Sequence, residues 1–475
     1  MSELNEKKAN NAQNKSKLKV PHVYVILLTV VAICAILTYI VPAGRYEMME
    51  SASGRMVVNP ESFQFTENTP VGLLDFLKAV PDGMVETASI IFFIFMVGGA
   101  FAVVEATGAI EAGIGRITFM MKGKERAIIP IIVIVFSLGG AVFGMAEETL
   151  PFIPIMVTLA IALGFDSLTG IGMVLAGAGA GFAGAFMNPF TVGVAQGIAE
   201  LPMFSGMGLR IVGYVVMVSL VIVFLYRYAG KVKKNPRLSS MYEVDINRDD
   251  VLDLDSLKEL TNSRKLVLIT VAGTIALLIF GVIKYGWYIQ EIAALFMGMA
   301  IVTAIVGKLG FNGFAENLVK GFANLAGGAL VVGFARAILV VLTKGQILDT
   351  ILYSSSNVLL QLPSAVSAFG MYAFQCLLNF IVPSGSGQAA VSIPILAPLS
   401  DLVGVTRQTA VLAYQFGDGI SNIFTPTSGY FMAGLALAKI PWQKWAKWIL
   451  PLILLEYLFA GILVLVAHMI NYGPF

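Results

Sequence analysis

Charge is scarce in this 475-residue chain: Asp, Glu, Lys and Arg make up 13% of it, where a soluble domain uses about 25%. Cysteine and histidine are nearly missing, with two of each. Cys34 and Cys376 both lie inside apolar runs, so no disulfide framework is expected and they read as small core residues. His22 and His468 stand near opposite ends, which argues against a histidine metal site. The net charge of +2 suggests no nucleic-acid partner. Ten-residue stretches of alternating polarity are also absent, and with them the pattern of a membrane β-barrel. What remains is apolar: 57% of the chain is hydrophobic, and runs of roughly 17–25 residues recur throughout, the length that crosses a hydrocarbon core of about 30 Å. The solvent is lipid, and the backbone must satisfy itself in helices. The expected fold is an all-α polytopic membrane protein.

Lysine placement orients it. A polar tail, 1–20, carries Lys15, Lys17 and Lys19 ahead of a first span at Val23–Val41; the positive-inside rule puts that tail in the cytoplasm. No cleavage pattern follows Val41, so the span is expected to stay as an anchor. A mixed segment, Gly44–Pro81, lies outside, and Thr87–Val104 returns to Lys122, Lys124 and Arg126. The stretch 127–164 has two apolar arms of about 13–15 residues, short for a span, around Phe143–Thr149; a re-entrant hairpin fits it. The next crossing, 169–200, is interrupted at Met187–Thr191, where Pro189 removes a donor and breaks the helix. Gly206–Tyr226 then reaches Arg227, Lys231, Lys233, Lys234 and Arg237. A cytoplasmic linker, 229–264, and an extra span, 265–288, separate this region, 21–228, from a second one, 289–475. There Phe311–Ala323 reads as an interfacial amphipathic helix before a span at Leu325–Leu342. A second hairpin occupies 365–404 around Pro383–Gln388, and a second broken helix, 408–438, is interrupted at Asn422–Thr427. Trp442, Trp445 and Trp448, interleaved with lysines, read as an interfacial belt. The count is nine spans and two hairpins, with the C-terminus outside.

The two regions echo each other about 240 residues apart: Pro154 with Pro394, Leu159 with Leu399, Gly164 with Gly404, Thr169 with Thr409 and Gly177 with Gly417. The extra span gives the copies opposite orientation. Inverted repeats with discontinuous helices are a transporter signature, with solute bound where the breaks meet.

Each interruption leaves unpaired N–H groups on one half-helix and carbonyls on the other, suited to carboxylates and cations respectively. The expected substrate-binding residues are Glu147, Glu148 and Thr149 at the first tip, Ser384, Gly385, Ser386, Gly387 and Gln388 at the second, Asn188 and Thr191 at the first break, and Asp418, Asn422, Thr425 and Thr427 around the second. A carboxylate at membrane depth costs about 2.5–3.5 kcal/mol and so needs a partner or a function. A site for dicarboxylates gains nothing from three acids, whereas a cationic amino acid needs at least one. Glu147 and Glu148 are neighbours and cannot point the same way; Glu148 is the first choice. Arg336, the one basic residue well inside a span, holds a substrate carboxylate, pairs with an acid such as Asp418, or forms an ion pair between helices.

An enzyme reading finds little support. Asp418 after Gly417 suggests an intramembrane aspartyl protease, but no second aspartate stands on a neighbouring span, and Ser386 lacks a histidine base. A channel is a further alternative, though paired polar tips suit alternating access better. No cofactor or metal is expected.

Taken together, Gly144–Thr149, Pro383–Gln388 and Phe416–Gly419 resemble the YfcC-type branch of the anaerobic C4-dicarboxylate carrier family, from Pro21 to the C-terminus. That resemblance implies the ion transporter superfamily, with scaffold and transport domains, two re-entrant hairpins and elevator-like movement; dimers are common there. It also implies kinship with arginine–ornithine antiporters. Sodium–dicarboxylate members carry Ser-Asn-Thr-like sequences at both tips, and here the first tip is acidic. The expectation is a secondary transporter in the bacterial cytoplasmic membrane exchanging basic amino acids such as arginine and ornithine. The alternative is a C4-dicarboxylate or other carboxylate carrier coupled to H+ or Na+.

Overall fold

The computed structural model describes residues 23–50, 56–59, 61–110, 112–113, 116, 123–248, 259–285, 287 and 289–473. The expected tail 1–20 with its lysines, Lys122, and the middle of the linker lie outside them. Helix α1 (Val23–Ile40) leads into two short antiparallel pairs, β1 (Gly44–Arg45) with β4 (Gln64–Phe65) and β2 (Met48–Glu50) with β3 (Met56–Val58). Helices α2 (Leu73–Glu86) and α3 (Ala88–Ala106) follow, then α4 (Ile128–Leu138) and α5 (Ile153–Ala162), joined by the first tip. Next come α6 (Ser167–Ala183), the short α7 (Val194–Ile198), α8 (Met207–Lys234) and α9 (Tyr242–Asp245). Beyond the linker stand α10 (Asn262–Tyr285), α11 (Ile289–Val306), α12 (Gly310–Lys344) and α13 (Leu348–Leu359). The second hairpin is α14 (Ser364–Ile381) and α15 (Gly385–Leu402), followed by α16 (Arg407–Ser421), α17 (Gly429–Leu437) and α18 (Trp442–Met469).

Among the described residues, eight helical stretches are long and apolar enough to cross a membrane, and they include one arm of each hairpin, Glu125–Val142 and Ser364–Ile381. Large apolar side chains such as Leu377, Leu402 and Ile305 point outward, the reverse of what water would permit over so wide a surface.

The helices pack in two groups. In one, α12 lies along α3, α2 and α1, with α11 on α3 and α10 on α11. In the other, α4 and α5 pack on α6, α14 and α15 on α16, α6 meets α16 and α8, and α18 backs α16 and α14. Helix α17 joins them, touching α12 and α3 on one side and α5 and α6 on the other. Within the second group the contacts depend on missing side chains, as apolar helices in lipid associate by close backbone approach. A Cβ on Gly170 would lie 2.6 Å from the Val157 Cα of α5, and one on Gly181 would run into the Ser137 carbonyl of α4.

One turn recurs. After α5 the chain reverses through Gly164 at φ +83°, and after α15 through Gly404 at φ +73°, a left-handed corner that favours glycine. Phe165 N then donates to Ala160 O at 2.9 Å and Val405 N to Ser400 O at 2.8 Å, the bond that closes a helix C-terminus. The following helices are capped alike: Asp166 Oδ1 accepts from Thr169 N at 2.9 Å, and Thr406 Oγ1 from Thr409 N at 3.2 Å.

Two expectations change. The interfacial helix at Phe311–Ala323 and the span at Leu325–Leu342 are one helix, the 35-residue α12; Asn324 and the small residues after it, Ala326 and Gly327, do not stop a helix that packs along α2 and α3. The tryptophans are not simply a belt. Trp445 is fully buried and donates from Nε1 to Ile423 O at 3.0 Å, while Trp442 donates to Phe424 O at 2.9 Å. They serve carbonyls freed by the second break. The described ends of the linker are also fastened: Lys444 Nζ donates to Ser240 O at 2.7 Å, and Arg248, paired with Asp245 at 2.9 Å, donates to Ala438 O at the end of α17 at 2.6 Å.

Gly181→Leu is expected to destabilise the detergent-solubilised protein by about 1–3 kcal/mol or more through overpacking, seen as a lower melting temperature. Gly273→Ala, on α10 with nothing within 4 Å of the added carbon, should leave it unchanged or slightly higher. Equal melting of the two variants would contradict the packing account.

Candidate functional site

The first tip is shaped by Gly144, at φ +70°, where a Cβ would lie 2.5 Å from Asn188 Oδ1. Beyond it Glu148 turns back: its Oε2 accepts from Ala146 N at 3.0 Å, and Thr149 Oγ1 donates to Ala146 O at 2.6 Å. Met187 N donates to Ala141 O at 3.2 Å, tying this tip to the first break. At that break α6 stops at Ala183, and Asn188 Oδ1 restarts the chain by accepting from Phe190 N at 2.9 Å and Thr191 N at 3.3 Å. An Asn at an N-cap satisfies donors that lipid would leave bare.

The second tip is built differently. Ser384 caps α15 by accepting from Gly387 N at 3.4 Å, and Tyr414 OH donates to Gly385 O at 2.6 Å. Gln388 belongs to a buried chain behind the tip: its Nε2 donates to Gln375 Oε1 at 2.6 Å, its Oε1 accepts from Asn379 Nδ2 at 3.0 Å, and Gln375 Nε2 donates to Ser392 Oγ at 2.9 Å. Asp418 ends that chain. Its Oδ1 accepts from Asn379 Nδ2 at 2.8 Å and Asn422 Nδ2 at 2.9 Å. A Cβ on Gly385 would sit 2.5 Å from Thr191 Cγ2 and 3.2 Å from Asp418 Oδ2, so only glycine lets tip, break and carboxylate come together.

A cavity of about 510 Å³ opens where these pieces meet. Of the residues singled out from the sequence, Glu147, Glu148, Thr191, Ser384, Gly385, Ser386, Asn422, Thr427 and Arg336 line it. Thr149, Asn188, Gly387, Gln388, Asp418 and Thr425 stand outside that lining. Several buried polar atoms here have no partner among the described residues: Asp418 Oδ2, Asn422 Oδ1, Thr191 Oγ1, Thr425 Oγ1, Thr427 Oγ1 and Asn188 Nδ2. Buried polar atoms are nearly always paired; of this set the Asp418 carboxylate and Asn422 carbonyl oxygens accept, while the three threonine hydroxyls can donate or accept.

Arg336 does not reach Asp418. Its Nε donates to Glu86 Oε2 at 2.6 Å, both side chains being about half exposed, 41% and 44%. A pair this wet contributes about 0.2–1 kcal/mol. In the sequence Glu86 sits at the margin of a span, where an acid needs no explanation. Thr87, Phe182, Phe190 and Tyr430, which also line the cavity, carried no signal in an apolar sequence. Gln375 and Asn379 did carry one, as amides four residues apart on one face of an apolar helix.

The whole chain has relatives. Residues 20–469 match the family described as "C4-dicarboxylate anaerobic carrier" (DcuC). The Escherichia coli (strain K12) protein named "Putative basic amino acid antiporter YfcC" is 38% identical, over 95% of this chain and 97% of that one. An uncharacterised Haemophilus influenzae protein is 29% identical, over 96% and 98%. Among solved structures, the Alcanivorax borkumensis YdaH transporter overlays with a TM-score of 0.44 at 17% identity, covering 96% of this chain and 100% of that one. Neisseria gonorrhoeae MtrF, described as one of a class of antimetabolite efflux pumps, gives 0.43 at 16%, over 95% and 96%. These overlays are too loose to carry geometry across. The match over nearly the full length places the chain in the C4-dicarboxylate anaerobic carrier family, as a multi-pass membrane transporter.

Proposed function

We propose that the protein is an antiporter of basic amino acids such as arginine and ornithine, and that the cavity between tips and breaks is its binding site. The observation that carries this reading is the charge of the cavity wall. Glu86, Glu147 and Glu148 face it against a single arginine, which Glu86 already holds, and Asp418 stands behind Gly385. The N–H groups that open α15 at Gly385 and Ser386 suit the substrate carboxylate, and Glu148 with Glu147 suits the side-chain cation. Thr191, Asn422 and Thr427 supply the remaining polar contacts, with Asn188, Thr149, Gly387, Gln388 and Thr425 holding the tips and breaks in place. The name of the 38%-identical relative points the same way. Exchange of two monocations is electroneutral and needs no coupling ion.

The recurring turn and cap after α5 and α15 support reading 21–228 and 289–475 as inverted copies. The division of the helices into two packed groups supports movement of one against the other during transport. The basic runs at Lys231, Lys233 and Lys234 and at Lys439, Lys444 and Lys447 support a cytoplasmic face at those ends and a cytoplasmic-membrane location.

A second reading, suggested by the family description, is a carboxylate carrier in which Asp418 takes a coupling H+ or Na+ on its unpartnered oxygen. Uptake into proteoliposomes separates the two: the wild-type protein should exchange labelled arginine for internal ornithine and leave labelled succinate outside. Uptake of succinate and not of arginine would decide for the second reading. Glu148→Gln and Asp418→Asn are each expected to cut arginine counterflow at least tenfold with insertion into the membrane unchanged. Wild-type rates in both variants would remove these acids from the site.

A further inference from the structure

A second cavity, of about 400 Å³, lies beside α2 and α12, and its wall shares Glu86, Arg336 and Leu339 with the first. Two rungs of opposite charge face it. Arg336 holds Glu86 at 2.6 Å, and eight residues on, about 12 Å along the helix, Lys344 holds Asp82 at 2.7 Å. Asp82 and Glu86, four apart, share one face of α2. These pairs are not needed to join the helices. A Cβ on Gly83 would lie 2.5 Å from the Gly333 carbonyl and 2.9 Å from Ala337 N, so backbone contact already holds α2 against α12, and half-exposed ion pairs add little to stability. They line the outer cavity, whose wall adjoins that of the inner one at Glu86, Arg336 and Leu339.

We propose that Glu86 and Arg336 form an outer subsite for a zwitterionic α-amino acid, separate from the inner acids and helix terminus. Arg336 takes the carboxylate and Glu86 the α-ammonium, so the substrate replaces the existing pair one charge for one and leaves neither residue bare. The guanidinium or amine of a basic side chain is then directed inward, toward Glu147 and Glu148. This assignment rests on the amino-acid reading above.

The test uses membrane vesicles of both orientations containing the full-length protein. Glu86→Gln and Arg336→Gln are each expected to raise KM for arginine presented at the Lys344 face tenfold or more, and by a clearly larger factor than at the opposite face. Arg336→Gln should also erase the wild-type preference, at that face, for arginine over arginine methyl ester, which lacks the carboxylate. Equal shifts at both faces, unchanged KM, loss of transport from both faces, or full recovery in the Glu86→Arg/Arg336→Glu swap would overturn the subsite in favour of a structural pair. Absence of arginine transport by the wild-type protein would sink the amino-acid reading itself, and the subsite with it; arginine transport with face-independent kinetics in the variants would sink the subsite alone.

Discussion

A helix that stops inside hydrocarbon strands its N–H and C=O groups where no water can reach them. This chain stops helices four times within one small volume, at two hairpin tips and two mid-helix breaks, and much of the surrounding structure answers the groups left over. Asn188 takes donors after the first break. Ser384 takes one at the second tip, and Trp442 and Trp445 reach in from α18 to take carbonyls at the second break. Some buried polar atoms around the tips and breaks stay without a partner among the described residues, Asp418 Oδ2, Asn422 Oδ1 and Thr191 Oγ1 among them.

The two tips meet the same constraint with different chemistry. At the first, a left-handed Gly144 lets the chain turn against Asn188, and the acids Glu147 and Glu148 come to the cavity wall. At the second, a capped helix N-terminus comes forward instead, backed by an amide chain from Gln375 through Gln388 and Asn379 to Asp418. One tip thus offers negative charge and the other backbone donors. On the proposed reading, a solute bearing both a cation and a carboxylate would match both surfaces, and a dicarboxylate only one of them.

Much of the architecture was legible because lipid leaves few options. The breaks at Asn188-Pro189 and Asn422–Thr427 stand where polar residues and proline interrupt apolar runs, and the tips stand where Phe143–Thr149 and Pro383–Gln388 interrupt them, although one arm of each hairpin is by itself long and apolar enough to cross a membrane. The 35-residue α12 was less legible: Glu316, Asn317 and Lys320 lend its first half an interfacial character, and only packing along α2 and α3 shows it to be one rod. Trp445 looked like a membrane-interface residue from its lysine neighbours, whereas its ring is buried beneath the break. Local composition describes what a segment can tolerate; it does not say which face another helix will cover.

Sequence by itself determined the solvent, the helical class, the four interruptions and most of the polar residues gathered around them, because the cost of bare backbone or charge in lipid marks such places wherever they fall. Tertiary structure alone decided the pairings. Arg336 belongs to Glu86 on α2, 250 residues earlier, because α12 lies against that helix at Gly83 and Gly333. Asp418 belongs to Asn379 because α14 packs on α16, whereas its bond to Asn422, four residues on, is local. A charge's need for a partner is written in its own residue type; which partner it finds depends on distances that exist only once the helices have packed.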